Sequence, residues 1–580
     1  MNIIFSGFFH PLVGILSGFL LIIGSEYVGK FFLKKFIKTF FFLNLATGVI
    51  SISLVAYIFI TINISKYSNP AISYILILLG ICNFYHLAKN FYFKHVIDFN
   101  VFLILLILFL LLILSIAAPT MADSLGYHLG VAKYINANNS WPDPDMWLLS
   151  NIAGLGEVYI SLGLLVYSDT VGSLVQLISL IAFLHFFFQF IDCKQRFVLF
   201  VFFILGSPVI VFLLSGAKFQ IFPQLISAFV FYSLIVNKKI NHKLSCLLLF
   251  LIFGIANFKL SFLISGFVLT IFLLTKTKIN FKFLISSFFI FSIIFLPKAL
   301  FHLISTNDPT YLTFFTLAPP EFLSSLRNFR ENSVFFPLNL FIPHSVGQVS
   351  TILGFQFVIL FFMKNIKKEN FQIIICVLIT SILYFLISQS ISRIYYEMIL
   401  WLSLSLVFIK DFRVNLKYLN IYLILNISIV FTILIVGFYN LSPSLISNEA
   451  RTEVMRNNSN EFKGASWVNQ NIPPNSLVLT NLRSISLIKN SAIPMDFLNY
   501  NVNSSNLKKY FNYLKSKKID YIIIKNFTKK KDYFFKKCEF SLVKQSPSFL
   551  KETRNPFNRS SKYSLTILKP LNRNLSFCIK

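Results

Sequence analysis

Apolar stretches, each closed by a short polar or basic segment, recur along the first three quarters of the chain. A helix needs about 20 apolar residues to cross the hydrocarbon core of a bilayer. On that measure the pattern predicts about 14 spans, near 8–23, 41–62, 71–88, 99–117, 168–190, 197–214, 219–236, 244–257, 260–275, 282–298, 350–363, 371–389, 394–409 and 418–440. The runs are continuous and do not alternate with period two, which excludes a barrel. Two long polar interruptions fall at 118–157 and 299–349. After Asn440 the chain turns polar and lysine-rich. There a helix over Glu461–Asn471 stops at Pro473-Pro474, and a second helix covers 507–517. Buried strands are predicted at Ser476–Thr480, Tyr521–Ile524 and Tyr563–Leu568. The fold class is an α-helical polytopic membrane protein with a small C-terminal α/β domain. The expected parts are three N-terminal helices (1–98), a transmembrane core (99–440) and the polar domain (441–580).

Composition agrees with that pattern. Charged residues make up 13% of the chain, against about 25% in soluble domains, and the mean hydropathy is +0.72. The net charge of +30 would suggest nucleic acid, but its placement does not. Of the 52 Lys and Arg residues, 20 fall in one alternating set of short loops, 8 in the other, and 24 after Asn440. Such asymmetry is the positive-inside signal. It puts both termini, the two long loops and the polar domain on the outer face. The basic group Lys30, Lys34, Lys35 and Lys38 follows the first apolar run, so that run reads as a span and not a cleaved signal. Cys82, Cys193, Cys246 and Cys376 lie in or beside spans, while Cys538 and Cys578 in the tail either pair or stay free.

The chemistry gathers at 117–159. This stretch holds Asp123, Asp143, Asp145 and Glu157 against one base, Lys133, together with His128, Trp141 and Trp147. Asp123 falls just past the end of a span. The segment 123–134 can form an amphipathic helix that puts Asp123, Tyr127 and Val131 on one side. A carboxylate there either serves as a general base or simply caps the helix. The WPDPD segment is either a proline-stiffened turn with solvated acids or, with Glu157, part of a metal site. The tryptophans suit interface anchors.

The run P-x-x-x-D-x-x-x-Y-H-x-x-x-A-K from Pro119, the W-x-x-P at Trp141 and the glutamate Glu157 resemble the first outer loop of the C-type (GT-C) glycosyltransferase superfamily. The resemblance is nearest to the dolichyl-phosphate-mannose-protein mannosyltransferase-like and RgtA/B/C/D-like families. Lys259-Leu260-Ser261, the loop Thr306–Tyr311, Arg393-Ile394-Tyr395-Tyr396-Glu397 and the strand at 517–524 are also similar. The resemblance implies a polyprenyl-phosphate sugar as donor, inversion at the anomeric carbon, and Asp123 as the catalytic base. It also implies a bacterial plasma (inner) membrane location. The phosphate leaving group needs positive charge, for which Lys218, Lys259, Lys298 and Arg393 are candidates, with Tyr127 and His128 beside them. The lysines could equally snorkel to headgroups, and Arg393 could equally pair with Glu397 one turn on. Two departures stand out: three spans precede the core, and Asp123 is followed by Ser124 instead of a second acid. A divalent metal therefore stays open, with Asp143, Asp145 and Glu157 as its candidate ligands.

The expectation is a membrane glycosyltransferase that moves a sugar from a polyprenyl-phosphate donor to a hydroxyl on a glycan, lipid or protein acceptor. The rivals are a flippase or transporter for lipid-linked saccharides, which needs ionisable residues in mid-span, and an O-antigen-type polymerase relying on Arg327 and Arg330. No Gly-rich phosphate loop follows a strand, and no nucleic-acid-binding motif appears.

Overall fold

The computed structural model describes residues 11–34, 39–89, 99–306, 336–364, 366–387, 391–409, 412–499, 504–527, 540–555 and 561–571. Among them, eight helices are long and apolar enough to cross a membrane: α1 (Pro11–Leu33), α2 (Phe41–Thr61), α3 (Ser65–Lys89), α4 (Phe99–Ile116), α7 (Val171–Phe188), α13 (Phe281–Thr306), α14 (Lys368–Leu386) and α17 (Leu416–Leu441). Shorter helices lie between them: α5 (Leu129–Asn138), α6 (Leu155–Leu165), α8 (Lys194–Leu205), α9 (Val209–Leu214), α10 (Ile221–Val236), α11 (His242–Phe258), α12 (Leu263–Leu274), α15 (Ser392–Ser403) and α16 (Ser405–Phe408). The chain is an integral membrane protein.

Three departures of the described helices from 14 even spans shape the site region. The run at 197–214 breaks into α8 and α9 at Gly206-Ser207-Pro208, where Pro208 supplies no N–H and Ser207 Oγ donates to the Leu353 carbonyl. The run at 350–363 forms 3-10 turns, Val346–Thr351 and Gln356–Phe362, on either side of Gly354 at φ +80°. Helix α6 was not expected, because eleven residues carrying a glutamate fall below the length of a span. It is buried along nearly its whole length.

Packing separates the core from the lipid side. Helices α7 and α10 are buried almost all round. Helix α13 exposes Phe288 and Phe289, and α14 exposes Phe371, Leu378 and Ile382. In a bilayer these apolar faces meet acyl chains. Helices α1 and α2 approach closely through Gly29 and Gly48: a Cβ on either would overlap the facing backbone. Between them Glu26 is buried and accepts from Asn44 (2.7 Å) and from Asn83 of α3 (2.6 Å). A second buried carboxylate, Glu397 of α15, accepts from Tyr384 at 2.9 Å and from Ser227, which Trp401 also reaches at 3.0 Å.

Beyond α17 come α18 (Asn448–Asn458) and α19 (Phe462–Asn471), then, among the described residues, seven strands. These are β1 (Leu477–Thr480), β2 (Ser491–Pro494), β3 (Tyr521–Lys525), β4 (Phe540–Gln545), β5 (Phe549–Leu550), β6 (Lys562–Tyr563) and β7 (Leu565–Pro570). The main sheet has the order β2-β1-β3-β7-β4; β1 runs parallel to β2 and β3, and β7 antiparallel to β3 and β4. Val478, Leu479, Ile522, Ile523 and Ile567 form its core. Strand β4 escaped notice because it is an edge strand with mostly exposed residues, and β2 because it is four residues long. Helices α20 (Asp496–Asn499) and α21 (Ser504–Lys515) follow β2. Cys538, Cys578, Arg327, Arg330 and the loop from Asn307 to Tyr311 lie outside the described residues.

Candidate functional site

Past α4 the chain turns and enters a π-helical turn, Ser124–His128, that continues directly into α5. The regular helix expected over 123–134 is therefore underwound at its start, so the Asp123–Tyr127–Val131 spacing does not follow a single α-helical face. Single π turns inside helices recur at functional sites. Asp123 sits at the head of this turn, 19% exposed, and makes no side-chain cap bond.

Three cations from three separate parts of the chain meet its carboxylate. Arg393 of α15 donates to Oδ2 at 3.0 Å, Arg483 from the C-terminal domain donates to Oδ1, and Lys218 Nζ lies 4.0 Å from Oδ2. Burial pushes this carboxyl up, but the positive charges of Lys218, Arg393 and Arg483 outweigh it and hold the group well below the usual carboxylate range. Asp123 is thus ionised at neutral pH and held by its neighbours. Arg393 does not pair with Glu397, whose oxygens are taken by Ser227 and Tyr384.

Lys218 is the unusual member. Its side chain is 0% exposed, its Nζ has no hydrogen-bond partner among the described residues, and it rests 3.9 Å above the Phe212 ring. Such burial pushes its ammonium well below the ordinary lysine range, and Arg393 pushes the same way. Lys259 joins the cluster electrostatically and donates to Gln220 at 2.6 Å; burial lowers it to about 7. Arg554, from the C-terminal domain, completes the group, with its guanidinium 5.8 Å from the same Phe212 ring and donating to the Ser215 carbonyl at 3.2 Å. Arg393, Arg483 and Lys218 thus meet the carboxylate, with Lys259 close by and Arg554 beside Lys218. A phosphate or diphosphate would balance them; an isolated buried ammonium is otherwise costly.

An apolar cavity of about 330 Å³ adjoins this cluster, lined by Leu114, Phe212, Ile433, Gly437, Leu441 and Arg554 among others. Phe212 and Arg554 belong to both the cavity and the cation cluster, so an anionic head and an apolar tail fit side by side.

On the other side of Asp123, His128 is buried and its Nδ1 lies 2.6 Å from Glu157 Oε1. Glu157 Oε2 accepts from the Gly154 N–H at 2.7 Å, reaching back from the first turn of α6 to its N-cap. Burial lowers the His128 pKa, against the pull of Glu157, so the ring is neutral near pH 7. With Nδ1–H turned to Glu157, Nε2 is an acceptor, and it has no partner among the described residues. The Tyr127 ring lies against His128, centroids 3.9 Å apart, and burial raises its phenol pKa, with Asp123 adding to the rise.

The remaining candidates stand apart from Asp123. Lys298 Nζ is committed to the Asn151 and Ala153 carbonyls at 2.9 and 2.5 Å. Asp143 accepts from the Asp145 N–H at 2.9 Å, forming the turn that the prolines suggest. With Glu157 tied to His128, these three acids do not converge; among the described residues no three His, Cys, Asp or Glu side chains group as metal ligands. Trp141 and Trp147 are 5% and 3% exposed, and so are core residues, not interface anchors. Arg483 and Arg554 were missed. Arg483 follows β1 at the carboxyl edge of parallel strands, a usual place for ligands, but a single arginine in TNLRS carries no sequence pattern.

The family described as the DUF1420 N-terminal domain matches residues 5–455. No curated protein matches the chain. Among solved structures, the crystal structure of ArnT from Cupriavidus metallidurans bound to undecaprenyl phosphate aligns with a TM-score of 0.41 at 9% identity, covering 83% of this chain and 98% of that one.

Proposed function

The chain belongs to the DUF1420 N-terminal domain family, and from its site we propose a membrane glycosyltransferase that takes a sugar from a polyprenyl-phosphate donor on the outer face of the membrane. The observation that carries this reading is the buried Lys218 ammonium, which has no hydrogen-bond partner among the described residues, set among Lys259, Arg393, Arg483 and Arg554 beside an apolar cavity. An anionic lipid matches both halves. The phosphate lies against Lys218 and Arg393, and the first part of the isoprenoid chain lies in the cavity. The acceptor hydroxyl approaches between Asp123 and His128, where Nε2 can accept a hydrogen bond. Its oxygen attacks the anomeric carbon as the bond from that carbon to the phosphate oxygen breaks. The electron pair leaves with the phosphate, the hydroxyl proton goes to Asp123, and the configuration inverts. Bound phosphate competes for the cations on Asp123, which restores basicity to a carboxylate that is a weak base in the free site.

Transport is less well supported. The two buried carboxylates Glu26 and Glu397, inside helices, have both oxygens taken by neighbouring side chains, which explains them as packing elements. The test uses purified protein in liposomes, a panel of polyprenyl-phosphate sugars and a mixture of hydroxyl acceptors. Release of polyprenyl phosphate with formation of a glycoside supports the enzyme. Movement of intact donor between leaflets without glycoside formation supports the transporter instead.

A further inference from the structure

The C-terminal domain packs on the Asp123 helix through the segment 481–488. At its start Arg483 reaches Asp123 although its own side chain is 60% exposed. A long, exposed arginine normally samples many rotamers, so something must aim it. The aim comes from Glu461, 3% exposed, at the head of α19. Glu461 Oε2 accepts from the backbone N–H of Arg483 at 2.7 Å and from that of Ser484 at 3.2 Å, while Oε1 takes Lys525 Nζ of β3 at 2.7 Å. Ser484 Oγ adds a bond to the Asn460 carbonyl at 2.8 Å. Glu461 holds this position at φ +65°, a left-handed conformation that costs a non-glycine residue free energy.

The same turn is docked on the helix that carries the site. Ser486 Oγ donates to the Leu125 carbonyl at 2.6 Å, and Lys133 Nζ reaches the carbonyls of Ser486 (3.3 Å) and Ile488. Gly126 and Gly130 leave room for it: a Cβ on Gly126 would lie 3.2 Å from the Arg483 carbonyl oxygen, and one on Gly130 would lie 2.8 Å from Ile485 Cγ2. The turn is thus fixed from below by α5 and the π turn, and from behind by Glu461.

We propose that the C-terminal domain is a working part of the anion site, in which Glu461 is the positioning residue that aims Arg483 at Asp123 and a phosphate headgroup draws that guanidinium off the carboxylate. This rests on the polyprenyl-phosphate reading and extends it: the donor's phosphate is bound jointly by the membrane core and the soluble domain. Glu461 does not touch Asp123 and acts on the site through the turn that carries Arg483.

The test compares wild type, Arg483→Ala, Glu461→Gln and the double variant, full-length in nanodiscs, by the Kd for a polyprenyl phosphate. Arg483→Ala weakens binding tenfold or more, and Glu461→Gln weakens it less. The double variant equals Arg483→Ala, because an aiming residue has nothing left to aim. With sugar-loaded donor, the loss falls on the donor KM more than on kcat. A Kd within twofold of wild type for Arg483→Ala overturns the proposal, as does a double variant whose loss is the product of the two single losses. If wild type binds no polyprenyl phosphate, the functional reading fails by itself. The positioning role is then read from hydrogen exchange of residues 124–133, which speeds up in Glu461→Gln if the turn holds that helix. Unchanged exchange in Glu461→Gln overturns it.

Discussion

Replacing Lys218 by methionine gives opposite signs for stability and for binding. The ammonium is 0% exposed, 4.0 Å from Asp123 Oδ2, and has no hydrogen-bond partner among the described residues. Its attraction to Asp123 at that distance is about 4 kcal/mol at an effective dielectric of 20. Burying the charge costs several kcal/mol, and Arg393 and Lys259 repel it further. Methionine keeps the length, packs on Phe212, and leaves Asp123 still paired to Arg393 and Arg483. Thermal stability is therefore unchanged or higher by up to about 4 kcal/mol, the range seen when buried ion pairs become apolar. Phosphate binding loses one charge-assisted contact of about 1.5–3 kcal/mol, which is roughly 10- to 150-fold in Kd. Melting followed by intrinsic fluorescence, together with polyprenyl-phosphate binding by native mass spectrometry, reads both. Lys298→Met is the control. It strips two carbonyls of their donor and costs about 1–3 kcal/mol of stability, with binding unaffected. A Lys218→Met protein that melts lower and binds normally would make Lys218 a structural residue and remove the main support for the phosphate site.

Three further outcomes follow from the same geometry. Lys259, lowered to about 7 by burial, loses its proton as pH rises through that value, so phosphate affinity falls above about pH 7; a titration of Kd from pH 6 to 8.5 checks the sign. Gly130→Val sets a side chain within 2.7 Å of Trp147 and 2.8 Å of Ile485, which costs about 1–3 kcal/mol and lowers the melting temperature. Glu157→Gln removes the charge that orients His128 and lowers kcat about tenfold or more with little change in the donor KM, as steady-state kinetics at varied donor would show.

Much of this architecture was legible in the chain, and the exceptions have physical causes. Long apolar runs without charges identify helices such as α4 and α7, because the bilayer leaves a continuous apolar stretch no other use. Short apolar segments do not say whether they span, re-enter or coil, so α6 and the 3-10 turns at 346–362 needed tertiary contacts. Within the site, the polar island around Asp123 stood out against its apolar surroundings, and Lys218 and Arg393 stood out as single cations at span ends. Their convergence on one carboxylate did not, since 270 residues separate Arg393 from Asp123 and 360 separate Arg483. Lys298 carried the same local signal as Lys218, yet it serves two carbonyls. A cation at a helix end indicates that something needs its charge, but not what.

The central claim is that Asp123 takes the proton from an acceptor hydroxyl in a phosphate-bound site. Its most direct test is glycosyl transfer from polyprenyl-phosphate sugars in liposomes by wild type and Asp123→Asn, with polyprenyl-phosphate binding measured on both. Asparagine keeps the size but cannot take the proton, and it frees Arg393 and Arg483 for phosphate. The account predicts transfer by wild type, and an Asp123→Asn protein that is folded, binds the phosphate at least as tightly and transfers at least a hundredfold more slowly. Equal transfer by the two proteins would contradict it.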